Sequence, residues 1–341
     1  MPERRLFRRK SLQTSRELGF GTTDVRQRRL INPDGSYNFV RIGIPFYETF
    51  NIYHYLLSAS WAKLIFIVIA WYSVFNVLFV GLYYAFCPNQ ITGMVFTNEW
   101  EHFWEIYFFS AQTLTTVGYG RINPMGITAS AIASLEALTG LMSFALITGL
   151  LFARFAKSPA RLMFAEKAVI APFTWNGQEI PAFMFRTANP YRTNLMTMKA
   201  QLTISLVEKM DDNGAEQRRF YPLNLERSEI NFFPSSWTLV HPIDEESPIY
   251  GFTNEDLQKS SAEFMVLMSG FDETFDQNIF VRYSYAADTI EWGAKYVRIF
   301  DFNAQNQATV DLSRLSAFDK MQIEHLLPNM DTELDTKLDN D

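Results

Sequence analysis

The chain has 341 residues, of which 31 are phenylalanine, with a net charge of −7 and a single cysteine, Cys87. The acidic balance argues against nucleic acid as a partner, and one cysteine excludes both an internal disulfide and a cysteine-built zinc site. The length suits about two domains of ~100–200 residues each, and the apolar residues crowd into the first half.

Residues 1–45 are polar and basic. Arg4, Arg5, Arg8, Arg9 and Lys10 are not followed by an apolar core with a small-residue cleavage site, so no cleaved signal peptide is expected. The turn formers Asn32, Pro33, Asp34 and Gly35 predict a loop with a short strand. The stretch from Phe46 to Lys63 is aromatic with few charges. It reads as an amphipathic helix at a membrane surface, spanning about residues 46–60, or as the start of the helix that follows.

Leu64 to Phe86 is 23 residues without a charge. At ~1.5 Å per residue it reaches ~34 Å, enough to cross a ~30 Å hydrocarbon core. A second apolar run from Met125 to Phe152 is broken only by Glu136. Its ~42 Å exceeds the bilayer, so it must tilt or protrude. Lysine and arginine are frequent before Leu64, absent from Leu64 to Gly120, and return at Arg154, Lys157, Arg161 and Lys167. That asymmetry predicts cytoplasmic termini and an external loop.

The external loop contains NEWEHFWEIYFFSAQT, apolar enough to enter a membrane and too short to cross it. Asn98 with Glu101 three residues later predicts a capping box and a helix from about Glu99 to Thr113. The helix runs into TLTTVGYG. Non-helical backbone at membrane depth survives only where protein buries it or water reaches it. Glycines permit backbone angles closed to other residues, so successive carbonyls can face one axis. Four such strands would form oxygen cages that replace the hydration shell of K⁺, and one chain supplies one strand. The negative end of the preceding helix favours a cation beneath the cages. Thr116 adds a hydroxyl oxygen, and Val117 and Tyr119 are expected to point away and brace the strand against the helix.

Beyond Lys167 the period changes from helix to strand. KAQLTISLV (Lys199–Val207) alternates polar and apolar residues, and Asp212-Asn213-Gly214 predicts a hairpin turn. IPAFMFRT, EFMVLMSGF, NIFVRYSY and YVRIFDF are further strand-like runs. Together they predict an antiparallel β-sandwich over residues 158–320, followed by an acidic tail, 321–341. The histidines His54, His102, His241 and His325 form no ligand-spaced cluster, and no catalytic constellation is present, so neither an enzyme nor a cofactor is expected.

The sequence resembles the inward-rectifier potassium channels, most closely their prokaryotic branch. The resemblance covers roughly Phe39 to Leu315 and rests on SAQTLTTVGYGRINP, LEALTGLMSF, ARFAKSPA, HPIDEESPIYG and DTIEWG. It implies a tetramer with a slide helix, a pore domain over about 61–157 and an immunoglobulin-like cytoplasmic domain. Thr116, Val117, Gly118, Tyr119 and Gly120 would be the K⁺ filter. Ala137, Gly140, Phe144, Thr148 and Phe152 recur as a stripe on the inner helix. Phe144 and Phe152 would close the pore by dewetting, or pack against neighbouring helices. Gly140 and Gly149 would permit bending or close helix packing.

Arg154, Lys157 and Arg161 look like the family's collar for anionic phospholipid; plain positive-inside topology is the other reading. Many relatives carry an acid where this chain has Gln112, so Arg121 after the filter would be compensated by Glu136. The alternative places Glu136 at a watery outer rim. The resemblance also implies voltage-gated conduction in a plasma or bacterial inner membrane, and polyamine or Mg²⁺ as pore blockers. A membrane-anchored β-sandwich that conducts nothing, and a module of a transporter complex, are the competing readings. The anchor has no use for a filter, and the transporter should have more than two spans.

Overall fold

The computed structural model describes residues 29–40, 42–43, 45, 51–156, 162–191, 193–209, 216–233 and 235–322. The chain divides into two compact units, Arg41–Lys157 and the combination of Met1–Val40 with Ser158–Asp341.

The first unit is helical. Helix α1, Ile52–Ser58, opens at Asn51, whose side chain accepts from His54 N. It is shorter than the expected 46–60 helix, and residues 46–50 lie outside the described set. Helix α2, Trp61–Phe86, begins at the Ser60 cap. Helix α3 is Glu99–Leu114 and helix α4 is Ile127–Phe155. Two short strands, β1 (Ile91–Thr92) and β2 (Asn123–Pro124), pair antiparallel between them. Helices α2 and α4 are 26 and 29 residues long, about 39 and 43 Å at the α-helical rise. Much of their apolar surface faces outward, including Ile65, Phe66, Ile69, Leu146 and Phe152. A water-soluble helix of this length would bury such a surface, whereas lipid solvates it.

Helix α4 lacks a side-chain cap of its own at Gly126. Gln90, just beyond α2, supplies one: its Oε1 accepts from Ala129 N at 3.2 Å, and its carbonyl accepts from Met125 N at 2.6 Å. One of the orphan donors at the helix start, Ala129 N, is thereby satisfied from the loop after α2.

The second unit is a β-sandwich. One sheet orders as β11 (Gln277–Ala286), β10 (Glu263–Asp272), β6 (Leu195–Lys209) and β7 (Glu216–Leu223), with β8 (Glu229–Phe233) also on β6. The other orders as β12 (Ile290–Trp292), β4 (Ala168–Trp175), β5 (Gln178–Ala188) and β3 (Met163–Phe164), with β9 (Ser236–Pro242) also on β5. Inward residues of both sheets make one core. Phe183 of β5 stacks on Phe264 of β10 with centroids 4.0 Å apart and rings within 10° of parallel, an aromatic contact worth about 0.5–1.5 kcal/mol beyond its area. The short helix α5, Asn254–Lys259, starts with a full capping box from Thr253 and Asp256.

The Asn32–Gly35 turn is flanked by a single bridge, Ile31 to Tyr37. This segment is held by a buried acid: Glu263 accepts from Leu30 N at 2.7 Å and Ile31 N at 3.0 Å. Ser284 Oγ donates to Ile31 O at 2.7 Å. The Asp212-Asn213-Gly214 turn lies outside the described residues. YVRIFDF is not one strand. It is split between β13 (Ala294–Tyr296), paired with β16 (Phe318–Lys320), and β14 (Phe300–Phe302), paired with β15 (Ala308–Val310). Two different partners claim its two ends, so the alternating pattern is interrupted at Val297–Ile299.

Candidate functional site

Helix α3 begins at Asn98, whose Oδ1 accepts from Glu101 N at 2.9 Å. The return bond of the expected capping box is displaced by one residue, because Glu101 accepts from Thr97 N at 2.7 Å and Thr97 Oγ1 at 2.8 Å. At its other end the helix does not simply stop. Thr116 N donates to Thr113 O at 3.0 Å and Val117 N to Gln112 O at 2.8 Å. The following strand is therefore fastened by its backbone to the last helical turn.

In that strand every second residue has a positive φ: Thr116 at 58°, Gly118 at 52° and Gly120 at 83°. Alternating the hand of the backbone turns successive carbonyls toward one side, which extended or helical backbone cannot do. Glycine meets this demand freely. Threonine does not, since a β-branched residue at positive φ is strained by about 1–3 kcal/mol. At the outer end Asn123 Nδ2 donates to Gly120 O at 2.8 Å. Val117 is 51% exposed and Tyr119 79% exposed. Their side chains do not brace the strand against the helix of their own chain, contrary to expectation. The bracing within the chain is by backbone.

Arg121 is not compensated by Glu136. Its Nη2 meets both Glu105 carboxylate oxygens, at 3.0 and 2.7 Å, and its Nη1 donates to Gly93 O at 3.2 Å. Glu105 lies on α3, sixteen residues before Arg121, and the sequence reading missed it. Glu136 is also not at a watery rim. It is fully buried, with the Tyr83 hydroxyl donating to its Oε2 at 2.7 Å and Ser110 Oγ against its Oε1. Gln112 contributes its carbonyl to the strand through Val117 N.

Gly140 is buried against α3. A Cβ placed on it would lie 1.8 Å from Leu114 O and 2.7 Å from Leu114 C. Its role in the static structure is close approach of two backbones, and α4 runs through it without a break. A Cβ placed on Gly149 would meet nothing within 4 Å outside the backbone of its own helix. Ala137 is half-buried, and Phe144, Thr148 and Phe152 are exposed, the two rings at 72% and 73%. They form an open apolar face on the lower half of α4.

The Arg154 guanidinium is engaged within the chain. It donates to the carbonyls of Leu56 and Ala59 at the end of α1, and it stacks over the Trp61 ring at 4.4 Å. Lys157, Arg161 and His325 lie outside the described residues. In the sandwich, His241 is buried, with Nδ1 2.6 Å from Asn224 O and Nε2 2.8 Å from Ser247 Oγ. A carbonyl can only accept, so Nδ1 carries a proton and donates it to Asn224 O. Its burial pushes the imidazole below its ordinary range. No cluster of His, Cys, Asp or Glu that could hold a metal is present among the described residues.

Residues 162–335 match the family model described as the inward rectifier potassium channel C-terminal domain, and residues 71–157 match one described as an ion channel. The inward rectifier potassium channel Kirbac3.1 of Paramagnetospirillum magnetotacticum is 36% identical over 291 residues, 85% of this chain and 95% of that one. Inward rectifier potassium channel 18 of Homo sapiens is 26% identical over 71% of this chain and 58% of its own length. Inward rectifier potassium channel irk-1 of Caenorhabditis elegans is 21% identical over 84% of this chain and 55% of its own.

Proposed function

Since the chain belongs to the inward-rectifier potassium channel family, a family of membrane-embedded ion channels and not of enzymes, we propose that four copies surround one axis and conduct K⁺ passively. The observation that carries this reading is the alternation of left-handed residues at Thr116, Gly118 and Gly120. Each copy would offer a ladder of carbonyl oxygens to a dehydrated cation, and the exposed Val117 and Tyr119 would find their packing partners on a neighbouring copy.

Conduction would be gated where Phe144 and Phe152 converge, because rings of that size expel water from a narrow bore. With no acid at Phe144, block by internal polyamine or Mg²⁺ would be weak. Arg154, with Lys157 and Arg161, would respond to anionic phospholipid, at about 1 kcal/mol per charge near the surface. The engagement of Arg154 with α1 makes that response one that α1 also feels. Both termini would be cytoplasmic, in a plasma or bacterial inner membrane. Helices α2 and α4 carry only Lys63, Glu136 and Arg154 as charged residues, not the arginine row of a voltage sensor. Voltage dependence would therefore arise from blocking cations rather than from moving helices, a correction to the voltage-gated expectation.

The test is ⁸⁶Rb⁺ uptake into liposomes holding the purified protein, across neutral and anionic lipid. Barium-sensitive uptake that K⁺ outcompetes and Na⁺ does not is the expected result. No such uptake in any lipid would leave a membrane-anchored sandwich.

A further inference from the structure

Glu136 sits at the meeting point of three helices, and its partners restrict its chemical form. Tyr83 OH donates to Glu136 Oε2 at 2.7 Å. Ser110 Oγ contacts Glu136 Oε1 and also lies 3.2 Å from Asn76 Oδ1. Asn76 Nδ2 in turn donates to Tyr72 O at 2.8 Å. A serine hydroxyl has a single proton to give. If Glu136 is a carboxylate, Ser110 gives that proton to Oε1, and Asn76 Oδ1 then faces an oxygen with no hydrogen between them. If Oε1 carries a proton, it donates to Ser110, and Ser110 donates to Asn76, whose Oδ1 lies at 3.2 Å and whose carbonyl lies at 3.5 Å; both side-chain contacts of Ser110 then have a donor and an acceptor.

The surrounding charges point the same way. The cations described in this unit are committed elsewhere: Arg121 to Glu105, Arg154 to the Leu56 and Ala59 carbonyls, Lys63 over the Tyr55 ring and His102 beside Glu99. His54 stands in α1, on an exposed surface. An ionised carboxylate buried without a cation is strongly disfavoured inside a membrane protein.

We propose that Glu136 is a positioning residue for the filter that works as an uncharged acid. It is the middle link of a directed hydrogen-bond chain, Tyr83 to Glu136 to Ser110 to Asn76 to the Tyr72 carbonyl. The chain fixes α2, α3 and α4 to one another one turn before Leu114, whose carbonyl rests against Gly140. The filter strand leaves α3 directly after that point. The proposal rests on the conduction reading for its consequence, but not for the protonation itself.

Two variants and one spectrum test it. Glu136→Gln preserves the chain, because its amide oxygen accepts from Tyr83 and its NH₂ donates to Ser110. Glu136→Leu cuts it on both sides. In liposomes, Glu136→Gln should keep the wild-type K⁺/Na⁺ flux ratio, while Glu136→Leu, which loses both buried hydrogen bonds, should lower it about tenfold or more. The infrared difference spectrum of wild type minus Glu136→Gln should show the carbonyl stretch of a protonated, hydrogen-bonded carboxylic acid. A carboxylate band in its place, or a Gln variant as unselective as the Leu variant, overturns the proposal. A wild type that shows the acid band yet passes no K⁺ refutes the conduction reading alone and leaves the hydrogen-bond chain standing.

Discussion

Replacing Gly140 by alanine tests the close approach of α4 to Leu114, which lies just before the proposed filter strand. The new methyl would stand 1.8 Å from Leu114 O, 2.7 Å from Leu114 C and 3.2 Å from Leu114 Cα. These are main-chain atoms, so no rotamer change can relieve the overlap. Overpacking of this kind costs about 1–3 kcal/mol, and an immovable neighbour puts it at the upper end. Alanine returns about 1 kcal/mol through helix propensity. The net loss is about 2 kcal/mol per chain. Gly149→Ala is the internal control, because its new Cβ would meet nothing within 4 Å outside its own helix backbone and only the propensity gain of up to about 1 kcal/mol remains. Heating the purified assembly and following its dissociation gives the stability order. Expected is Gly149→Ala at or above wild type and Gly140→Ala clearly below, with a reduced K⁺/Na⁺ flux ratio because Leu114 is two residues from Thr116. A Gly140→Ala protein as stable and as selective as wild type would refute the close-approach argument.

Three further outcomes follow from single residues. Gly118→Ala places a Cβ at φ 52°, a strain of about 1–3 kcal/mol, and should degrade the K⁺/Na⁺ flux ratio; unchanged selectivity would remove Gly118 from the filter. Phe144→Asp should convert weak spermine block into strong block in bilayer current–voltage curves, since four carboxylates would share a poorly screened cavity; strong block in the wild type would place the blocker site elsewhere. Burial lowers the His241 imidazole below its ordinary 6.5, so the unfolded chain binds that proton more readily. Stability of the sandwich should be full above about 6.5 and fall as pH drops below it, and His241→Asn should flatten that slope in denaturation midpoints measured against pH.

What the sequence made legible is what local pattern can encode. Charge-free runs located α2 and α4 to within three residues at each end, because lipid demands apolarity over a fixed length. The strand β6 was visible in the alternation of Lys199–Val207, because one face of it is core. The partners were not legible. Arg121 meets Glu105 and Glu136 meets Tyr83 and Ser110 across 16, 53 and 26 residues of sequence. Glu136 was the only acid in its span, so the sequence marked it as special. Nothing in the spacing said that a tyrosine and a serine, instead of an arginine, would face it. The broken YVRIFDF run failed for a related reason: its apolar pattern is real, but two pairing partners divide it.

The fastenings of α4 are unevenly distributed. Its outer half is tied at Ala129 by Gln90, at Glu136 by Tyr83 and Ser110, and at Gly140 by Leu114. Its last turn is tied through Arg154 to the Leu56 and Ala59 carbonyls and through Phe155 to the Trp61 ring. Between lie residues 141–153, about 20 Å of helix holding the open apolar face and Gly149. Mechanically this is a beam built in at one end, with a load point at the other. A sideways displacement of α1 would act on the tip through Arg154, while the end tied at Ala129, Glu136 and Gly140 would not yield. Flexure would then concentrate in the middle, where Phe144 and Phe152 lie. On the proposed reading, the same continuous helix would hold the filter end fixed and leave the gate end compliant, with no break in its hydrogen bonds to separate them.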